Sequence, residues 1–263
     1  SLLTEYRAKW TDKRLFIVQG PRQGFVANFL SLAHNPAVHA EYYAFCDQDD
    51  IWEANKLQRA LAYLQAVPAD IPALYGSRAR LVDVGNHELG LSAPFIRPPT
   101  FAHALTQNIA CGNTMVFNHA AMLLLRTGGH KVAVVAHDWW LYLLVSGAGG
   151  RVIYDTYPSV RYRQHGGNAV GMKTHWLTRL LRWRMIRDVY QGTFRAGNTH
   201  HVQALQALRA NLTPSNRLIL DRFALARDNW LLPRLWGFWR IGLYREPLGS
   251  HLGLIAAAIL KKI

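Results

Sequence analysis

Three aspartates in the stretch AFCDQDDIW, residues 44–52, are the first side chains in this sequence whose type and spacing suggest chemistry. Asp47, Asp49 and Asp50 directly follow an apolar run. Like charges at such short range raise one another's pKa, so the cluster calls for a compensating positive charge. A helix cap would account for one of the three carboxylates. We therefore interpret the cluster as a site for Mg²⁺ or Mn²⁺, which take oxygen ligands and leave room for substrate phosphates.

Two further places carry residues that could do chemistry. Asp138 lies in HDWW, residues 137–140, where it either opens a helix as a cap or acts as a base beside two tryptophans. His165 lies in YRQHGG, residues 162–167, after Arg163 and Gln164 and before two glycines. A lone histidine is usually structural, but this position at the end of a strand suits a loop that grips a ligand.

The elements that must position these residues alternate along the first part of the chain. Apolar periodicity predicts strands at 14–20, 41–47, 73–83, 113–118 and 151–157, and helices at 24–35, 55–67, 119–127 and 138–147. Alternation at this spacing predicts an α/β fold with a mostly parallel sheet flanked by helices. In such sheets, ligands bind at the carboxyl ends of the strands, which is where the acidic cluster falls.

Charge divides the 263-residue chain unevenly. Its net charge is +14, from 30 basic and 16 acidic side chains, and residues 173–263 hold 15 of the basic and 4 of the acidic ones. We expect a near-neutral catalytic domain at 1–172 and a helical, basic, Trp-rich region at 173–263. Trp and Arg together are typical of the membrane–water interface, so we expect this region to meet an anionic membrane surface. The alternative is a helical subdomain packed on the catalytic domain with its arginines at the surface.

The composition excludes some classes of protein. Two cysteines, Cys46 and Cys111, allow neither a disulfide framework nor a cysteine-rich zinc site. The apolar runs are shorter than the ~20 residues that span a bilayer. The opening SLLTEYRAKWTDKR resembles the middle of a helix, so we expect the true N-terminus to lie further upstream.

The motifs GFVANF, FCDQDDIWEANKL, CGNTMVFN, HDWWLYLL and YRQHGGNAVG, taken in order, resemble the family-2 glycosyltransferases, in particular the bacterial rhamnosyltransferase-like group. The resemblance covers roughly residues 14–171. It implies a GT-A fold, a nucleotide-sugar donor and an inverting transfer to a saccharide or lipid-linked acceptor in cell-surface polysaccharide synthesis, with rhamnose as one candidate sugar. It also implies a cytoplasmic protein, peripheral on the inner face of the cell membrane. The family's first strands, which grip the base, do not precede SLLTEYRAKW in this sequence, so we expect either a fragment of a longer chain or a base pocket made differently.

The resemblance also assigns roles at the acidic cluster. Asp47 and Asp49 match the family's Asp-x-Asp motif, which contacts the ribose of the donor and, through a metal ion, its diphosphate. Asp50 is the following acid, with a supporting role. His165 matches a histidine near the diphosphate and the metal, so the implied metal ligands are Asp49, Asp47 and His165. Asp138 matches the residue that takes the proton from the acceptor hydroxyl.

Four more residues are implied in donor binding. Gly24 and Asn28 match a segment packed under the nucleotide site, and Arg163 and Gln164 lie beside the family's histidine. Two other classes of protein stay open at this point. A metal-dependent phosphohydrolase or nuclease would also use an acidic cluster with a histidine. A nucleic-acid-binding protein would explain the net charge, but the basic residues lie away from the cluster and no binding motif is present, so we expect no nucleic acid.

Overall fold

The computed structural model describes residues 2–9, 15–164 and 193–263. Within these ranges the chain forms six strands and ten α-helices. The strands are β1 (Tyr42–Ala44), β2 (Ile51–Trp52), β3 (Ala73–Val82), β4 (Glu88–Leu91), β5 (Val116–Asn118) and β6 (Arg151–Arg163). The helices are α1 (Leu2–Lys9), α2 (Phe25–Ala33), α3 (Lys56–Leu64), α4 (Phe101–Ala104), α5 (His119–Thr127), α6 (His137–Gly147), α7 (Thr193–Ala207), α8 (Pro214–Asp228), α9 (Leu231–Arg240) and α10 (Leu248–Ile259).

The six strands form one mixed sheet in the order β1-β5-β3-β6-β2, with β4 paired to β3. The α/β class is as predicted, but a mostly parallel sheet is not confirmed. Of the five strand pairings among the described residues, β3 with β6 is the parallel one. The alternation of strands and helices did not indicate the antiparallel pairings. β4 pairs with β3 as a hairpin, and the short strands β2 and β5 lie antiparallel to their neighbours.

This topology places a connecting loop across one edge of the sheet. β1 and β2 are consecutive in the chain but lie at opposite sides of the sheet. Residues 45–50, which we call the acidic loop, join them. Strands β1, β3 and β6 run in the same direction, so the acidic loop crosses at their carboxyl ends. Because β5 is antiparallel to β1 and β3, its amino end and the turn before it reach the same edge.

Helix α6 is the central helix of the core. Trp140 to Gly147 are all buried, which is the pattern of a helix covered on every side. The core cluster around it joins Leu74 and Phe117 of the sheet to Leu220 and Phe223 of α8. The core of the described chain is therefore shared between the sheet and the helices that follow residue 193.

Most predicted elements coincide with observed ones, and the strand predicted at 14–20 is absent among the described residues. Residues 15–20 form no strand, because Phe16 and Val18 are exposed and the segment pairs with no neighbour in the described sheet. In α3 the buried residues are Lys56, Ala60 and Leu64.

A buried carboxylate links the tail helices to the first part of the chain. Glu246, 7% exposed, lies between α9 and α10. Its Oε1 accepts hydrogen bonds from the backbone N–H groups of Ile96 and Arg97, at 3.1 and 3.4 Å. Its own backbone N–H donates to the side chain of Gln107 at 2.7 Å, and its carbonyl accepts from the same side chain at 2.6 Å. We call this set of contacts the Glu246 clamp.

Among the described helices, none combines the length and the apolar character that a bilayer crossing requires.

Asn118 provides a test of what holds β3, β5 and α5 together. Its buried side chain accepts from the N–H groups of Ala73 and Ala121 and donates to the carbonyl of Ile71. Asn118→Ala removes a helix cap and leaves buried backbone groups unpaired, so we expect a loss of about 2–4 kcal/mol in unfolding free energy. Urea denaturation measures it. Asn118→Asp, which keeps the acceptor oxygen, should lose less, and equal losses would contradict the cap.

Candidate functional site

The acidic loop is fixed at one of its aspartates. Asp50 accepts a hydrogen bond at Oδ2 from the side-chain amide of Asn113, at 2.5 Å, and at Oδ1 from the backbone N–H of Arg163, at 3.0 Å. Burial raises the pKa of the Asp50 carboxyl, while these two hydrogen bonds act to lower it. Asp50 is thus a structural carboxylate that ties the acidic loop to the end of β6 and to the turn before β5.

The ionised form of Asp47 is disfavoured by its surroundings. Burial, followed by the charges of Asp50, Asp49 and Asp138, raises the pKa of the Asp47 carboxyl to about 6. Asp138 follows Asp47 by 91 positions in the chain. Its charge raises the pKa of Asp47 because the fold brings it near the acidic loop. Four carboxylates therefore share one edge of the sheet, and each additional ionised group there costs free energy.

Lys56 supplies positive charge beneath the loop. The side chain is 1% exposed; its Nζ donates to the carbonyl oxygen of Asn113 at 2.6 Å and lies 3.6 Å from the ring centre of Trp52. Burial lowers the pKa of the ammonium group to about 7, against the raising effect of the neighbouring negative groups. A lysine at the start of a helix is usually solvated, so its burial here marks the local excess of negative charge.

The turn before β5 holds both Asp50 and Asp138. It is a 3₁₀ turn at Gly112–Thr114. The N–H of Gly112 donates to Oδ2 of Asp138 at 2.8 Å, and the N–H of Trp139 donates to Oδ1 at 2.6 Å. A Cβ at Gly112 would lie 3.0 Å from Nε2 of His137 and 3.4 Å from Cβ of Asp138, so glycine permits the close approach. Asp138 is accordingly fixed in orientation by two backbone donors.

The helix in which Asp138 lies begins one residue earlier, at His137, and its N-cap residue is Ala136. Asp138 is therefore not the N-cap of α6, and one of its oxygens is directed at the turn rather than at its own helix. This placement differs from the simple cap that the local sequence also allowed.

Arg163 is the last residue of β6 at the same edge, and Gln164 follows it. The guanidinium of Arg163 donates through Nε to the carbonyl oxygen of Asp49 at 3.0 Å and through Nη1 to that of Val84 at 2.6 Å. The N–H of Gln164 donates to the carbonyl of Val82 at 2.8 Å. Arg163 thus supports the acidic loop. His165, the third implied metal ligand, lies outside the described residues.

Gly24 and Asn28 line an open pocket of about 490 Å³ at the start of α2, together with Val18, Gln19, Gly20, Arg22 and Phe25. Gly24 has a φ of 91°, in the region that favours glycine, and is the residue before α2 begins. The pocket has one cationic side chain, Arg22. The structure therefore brings the two sequence-predicted residues together at a cavity.

An aromatic wall connects this pocket to Asp138. The ring of His137 stacks on Phe29, with 4.0 Å between centres, and lies edge-on to Phe25 at 6.1 Å and to Phe45 at 4.5 Å. Burial lowers the pKa of His137, which keeps its ring neutral. Phe25 lines the pocket, and His137 precedes Asp138, so the pocket and the carboxylate edge are neighbouring parts of one site.

The described residues suit a hard divalent cation by their chemistry. Asp47 and Asp49 offer oxygen ligands only, and burial, followed by the neighbouring carboxylates, raises the pKa of Asp47 against the opposing effect of Lys56. Within the described ranges no group of three or more His, Cys, Asp or Glu side chains is arranged to hold a metal ion. Two carboxylates nevertheless fit Mg²⁺ or Mn²⁺, which commonly complete their shells with water and substrate phosphates.

Sequence reasoning missed three residues that the site depends on. Lys56, Gly112 and Asn113 support the carboxylates without being acidic themselves. The signal for Lys56 was its spacing of four and eight from Ala60 and Leu64, which places it on the buried face of α3. Gly112 and Asn113 lie in the quoted CGNTMVFN motif, but no local pattern indicates that their backbone and amide groups would meet Asp138 and Asp50.

Comparison with known proteins gives one distant similarity. No protein-family model matches the chain. The chain is 24% identical over 159 residues to the dTDP-rhamnosyl transferase RfbG of Shigella flexneri, a match that covers 56% of this chain and 51% of that protein. The chain thus spans about half the length of the curated relative it matches. The similarity supports a glycosyltransferase-like relationship.

Asp47 gives a pH-dependent test of the cluster. Its folded-state pKa of about 6 lies above the ordinary 3.8, so ionisation of Asp47 above pH 6 destabilises the native state. Asp47→Asn should therefore raise the melting temperature at pH 8, and the difference should shrink at pH 4. A cost of about 1 kcal/mol, allowing for solvent screening, corresponds to about 2–4 °C.

Thermal unfolding of both proteins across this pH range, without divalent metal, measures the effect. Asp70→Asn makes the same chemical change at an exposed position and should leave the melting temperature unchanged at both pH values. A melting temperature for Asp47→Asn that equals or falls below that of the parent protein at pH 8 would show that Asp47 carries no excess repulsion.

Proposed function

We propose that this chain is an inverting, metal-dependent glycosyltransferase that moves a sugar from a nucleotide-diphosphate donor to a saccharide or lipid-linked acceptor. The observation that carries the proposal is the meeting of Asp47, Asp49 and Asp138 at one edge of the sheet, beside a pocket lined by Gly24 and Asn28. The motifs that resemble family-2 glycosyltransferases contain these residues. The similarity to a dTDP-rhamnosyl transferase also supports a sugar transfer. A GT-A-type sheet is part of the same proposal.

The donor would lie between the pocket and the acidic loop. The pocket beside Phe25 and Arg22 has room for a nucleoside, and Arg22 offers charge complementary to phosphate. Asp49 and Asp47, with His165, would hold Mg²⁺ or Mn²⁺. When bound, this ion supplies positive charge that stabilises the diphosphate leaving group. The similarity to a dTDP-rhamnosyl transferase makes dTDP-rhamnose the first donor to test.

Asp138 would act as the general base. Its carboxylate takes the proton of an acceptor hydroxyl while the hydroxyl oxygen attacks the anomeric carbon. The bond from that carbon to the diphosphate oxygen breaks in the same step, and the configuration inverts. Gly112 and Trp139 hold the carboxylate in its orientation, so little reorganisation is needed. A single carboxylate suffices at the reacting carbon, unlike the pair that retaining glycosidases use.

The setting of this activity is proposed with it. Transfer to a lipid-linked acceptor in cell-surface polysaccharide synthesis would take place at the cytoplasmic side of the cell membrane, with the protein peripheral on that surface. A nucleotide-sugar donor is made and used in an aqueous compartment, while a lipid-linked acceptor stays in the bilayer. The enzyme must therefore reach both.

Metal-dependent donor binding is the first test. Asp49→Asn should abolish the Mn²⁺-dependent part of dTDP binding, because the amide replaces an anionic ligand with a neutral one. Isothermal titration calorimetry with and without Mn²⁺ measures it, with circular dichroism as a check that the variant is folded. Asp70→Asn should bind as the parent protein does. Unchanged Mn²⁺-dependent affinity in Asp49→Asn would remove Asp49 from the metal site.

Proton abstraction is the second test. Asp138→Asn should bind the nucleotide with near-parent affinity but lose transfer by a factor of about 10²–10⁴, the usual range for general-base catalysis. Sugar transfer from dTDP-rhamnose to a saccharide acceptor is measured alongside donor hydrolysis without acceptor. Turnover close to that of the parent protein would limit Asp138 to a structural role. Rapid acceptor-independent hydrolysis by the parent protein would instead favour a phosphohydrolase.

A further inference from the structure

Helix α9 leaves large aromatic side chains in solvent. Leu232, Trp236 and Trp239 recur at intervals of four and three residues, so they share one side of the helix. Trp236 is 57% exposed and Trp239 77% exposed, and Trp230 just before the helix is exposed as well. Tryptophan is on average a highly buried residue, so several exposed ones within ten positions are unusual.

Helix α10 carries a second exposed apolar stripe. Leu248, Leu252, Ile255 and Ile259 follow one another at intervals of four, three and four residues, and all four are exposed. The opposite side of the helix is buried through Leu254, Ala257 and Ala258. A helix that buries one apolar side and leaves another in solvent has a surface still to cover.

A buried arginine holds the two helices against each other. Arg234 of α9 is 4% exposed; its Nη1 donates to the carbonyl oxygen of Ala258 in α10 at 2.7 Å, and its Nε donates to that of Asn229 at 3.1 Å. The bond to Ala258 connects the buried sides of the two helices. The exposed residues of α9 and α10 just described, together with Trp230, are called the tail face below.

Charge around the tail face is almost entirely positive. Of the five arginines and lysines in residues 229–263, Arg240 and Lys261 are exposed and Arg234 is buried, while the one acidic residue, Glu246, is buried in its clamp. The guanidinium of Arg240 lies 5.0 Å from the ring centre of Trp236, and Lys261 follows α10 in an exposed position. On the preceding helix α8, the exposed carboxylates of Asp221 and Asp228 are paired with Arg209 and Arg195.

We propose that the tail face docks on an anionic membrane surface, with its Trp, Leu and Ile side chains in the headgroup region and its basic side chains on lipid phosphates. Tryptophan favours this boundary, and basic residues near it are attracted to anionic lipid. With 10 and 12 residues, α9 and α10 are too short to span the bilayer and would lie along its surface. Aromatic residues and Arg are also enriched at protein–protein interfaces, so the experiment below includes a second copy of the chain as a competing occupant. The inference deepens the membrane setting proposed above by naming the surface that carries it, and its test does not depend on the enzymatic activity.

Vesicle flotation of the full chain tests the proposal. The probes are vesicles of phosphatidylglycerol mixed into phosphatidylcholine, with pure phosphatidylcholine for comparison. We expect flotation with the anionic vesicles at low salt, less at high salt because the attraction is screened, and little with neutral lipid. Trp236→Ser with Trp239→Ser should lower the partition coefficient about tenfold or more. Both residues are exposed, so the fold should persist by circular dichroism.

A control variant shows whether the loss of flotation depends on where the exposed apolar residues lie. Leu89→Gln with Leu123→Gln alters two exposed apolar residues outside the tail face and should float like the parent protein. Failure of the parent protein to float with anionic vesicles at low salt would overturn the proposal, as would equal flotation of the double Trp variant. Analytical sedimentation of the lipid-free protein measures its oligomeric state, and so tests whether a second copy of the chain covers the tail face. A dimer that dissociates in the double Trp variant would assign the tail face to self-association instead.

Discussion

The hydrogen bond from the buried ammonium of Lys56 to the carbonyl of Asn113 is the contact on which the arrangement of the site depends. It connects the first turn of α3 to the turn before β5. The turn before β5 also holds Asp50 through the Asn113 amide and Asp138 through the Gly112 N–H. Three segments distant in sequence thus meet at one point, and the carboxylates of the site take their positions from it.

The same arrangement keeps the site electrostatically unbalanced. Lys56 lies buried beneath the four carboxylates, and burial lowers its pKa to about 7, so its positive charge is weakly held near neutral pH. Burial, followed by the charges of the neighbouring carboxylates, raises the pKa of Asp47 to about 6. A fold selected for stability alone would replace one of these groups, since neutral side chains of similar size would cost less. The retention of negative charge at a strand edge is consistent with a site that must attract a cation and the phosphates it carries.

Much of the fold could be predicted from the sequence because long amphipathic segments report their own periodicity. α5 and α6 lie where apolar spacing placed them, within one residue. Strands of two to four residues, such as β2 and β4, are too short for alternation to be read, and their antiparallel pairing is what made the sheet mixed. The strand predicted at 14–20 failed because an apolar run needs a partner, and its side chains face solvent.

The acidic residues of the candidate site could also be identified, since their types and positions after a strand signal chemistry. The residues that hold these carboxylates in place could not be identified from the sequence. Lys56 resembles a surface lysine until its spacing from Ala60 and Leu64 is considered, and Gly112 acts through a backbone N–H that carries no sequence signal. Long-range pairs of this kind depend on topology, here on β5 entering the sheet antiparallel so that its amino end meets the carboxyl ends of β1 and β3.

The Glu246 clamp joins the turn between α9 and α10 to residues 96 and 97 and to the side chain of Gln107, a short distance in sequence before the turn that holds Asp138. A protein adsorbed through α9 and α10 would therefore hold its carboxylate edge at one height and tilt above the lipid. Its encounters with an acceptor confined to the bilayer would then become a two-dimensional search, in which lateral diffusion replaces diffusion through solution. Such an enzyme would select its acceptor partly by the length of the link between sugar and lipid, because a link too short for that height could not bring its hydroxyl to Asp138.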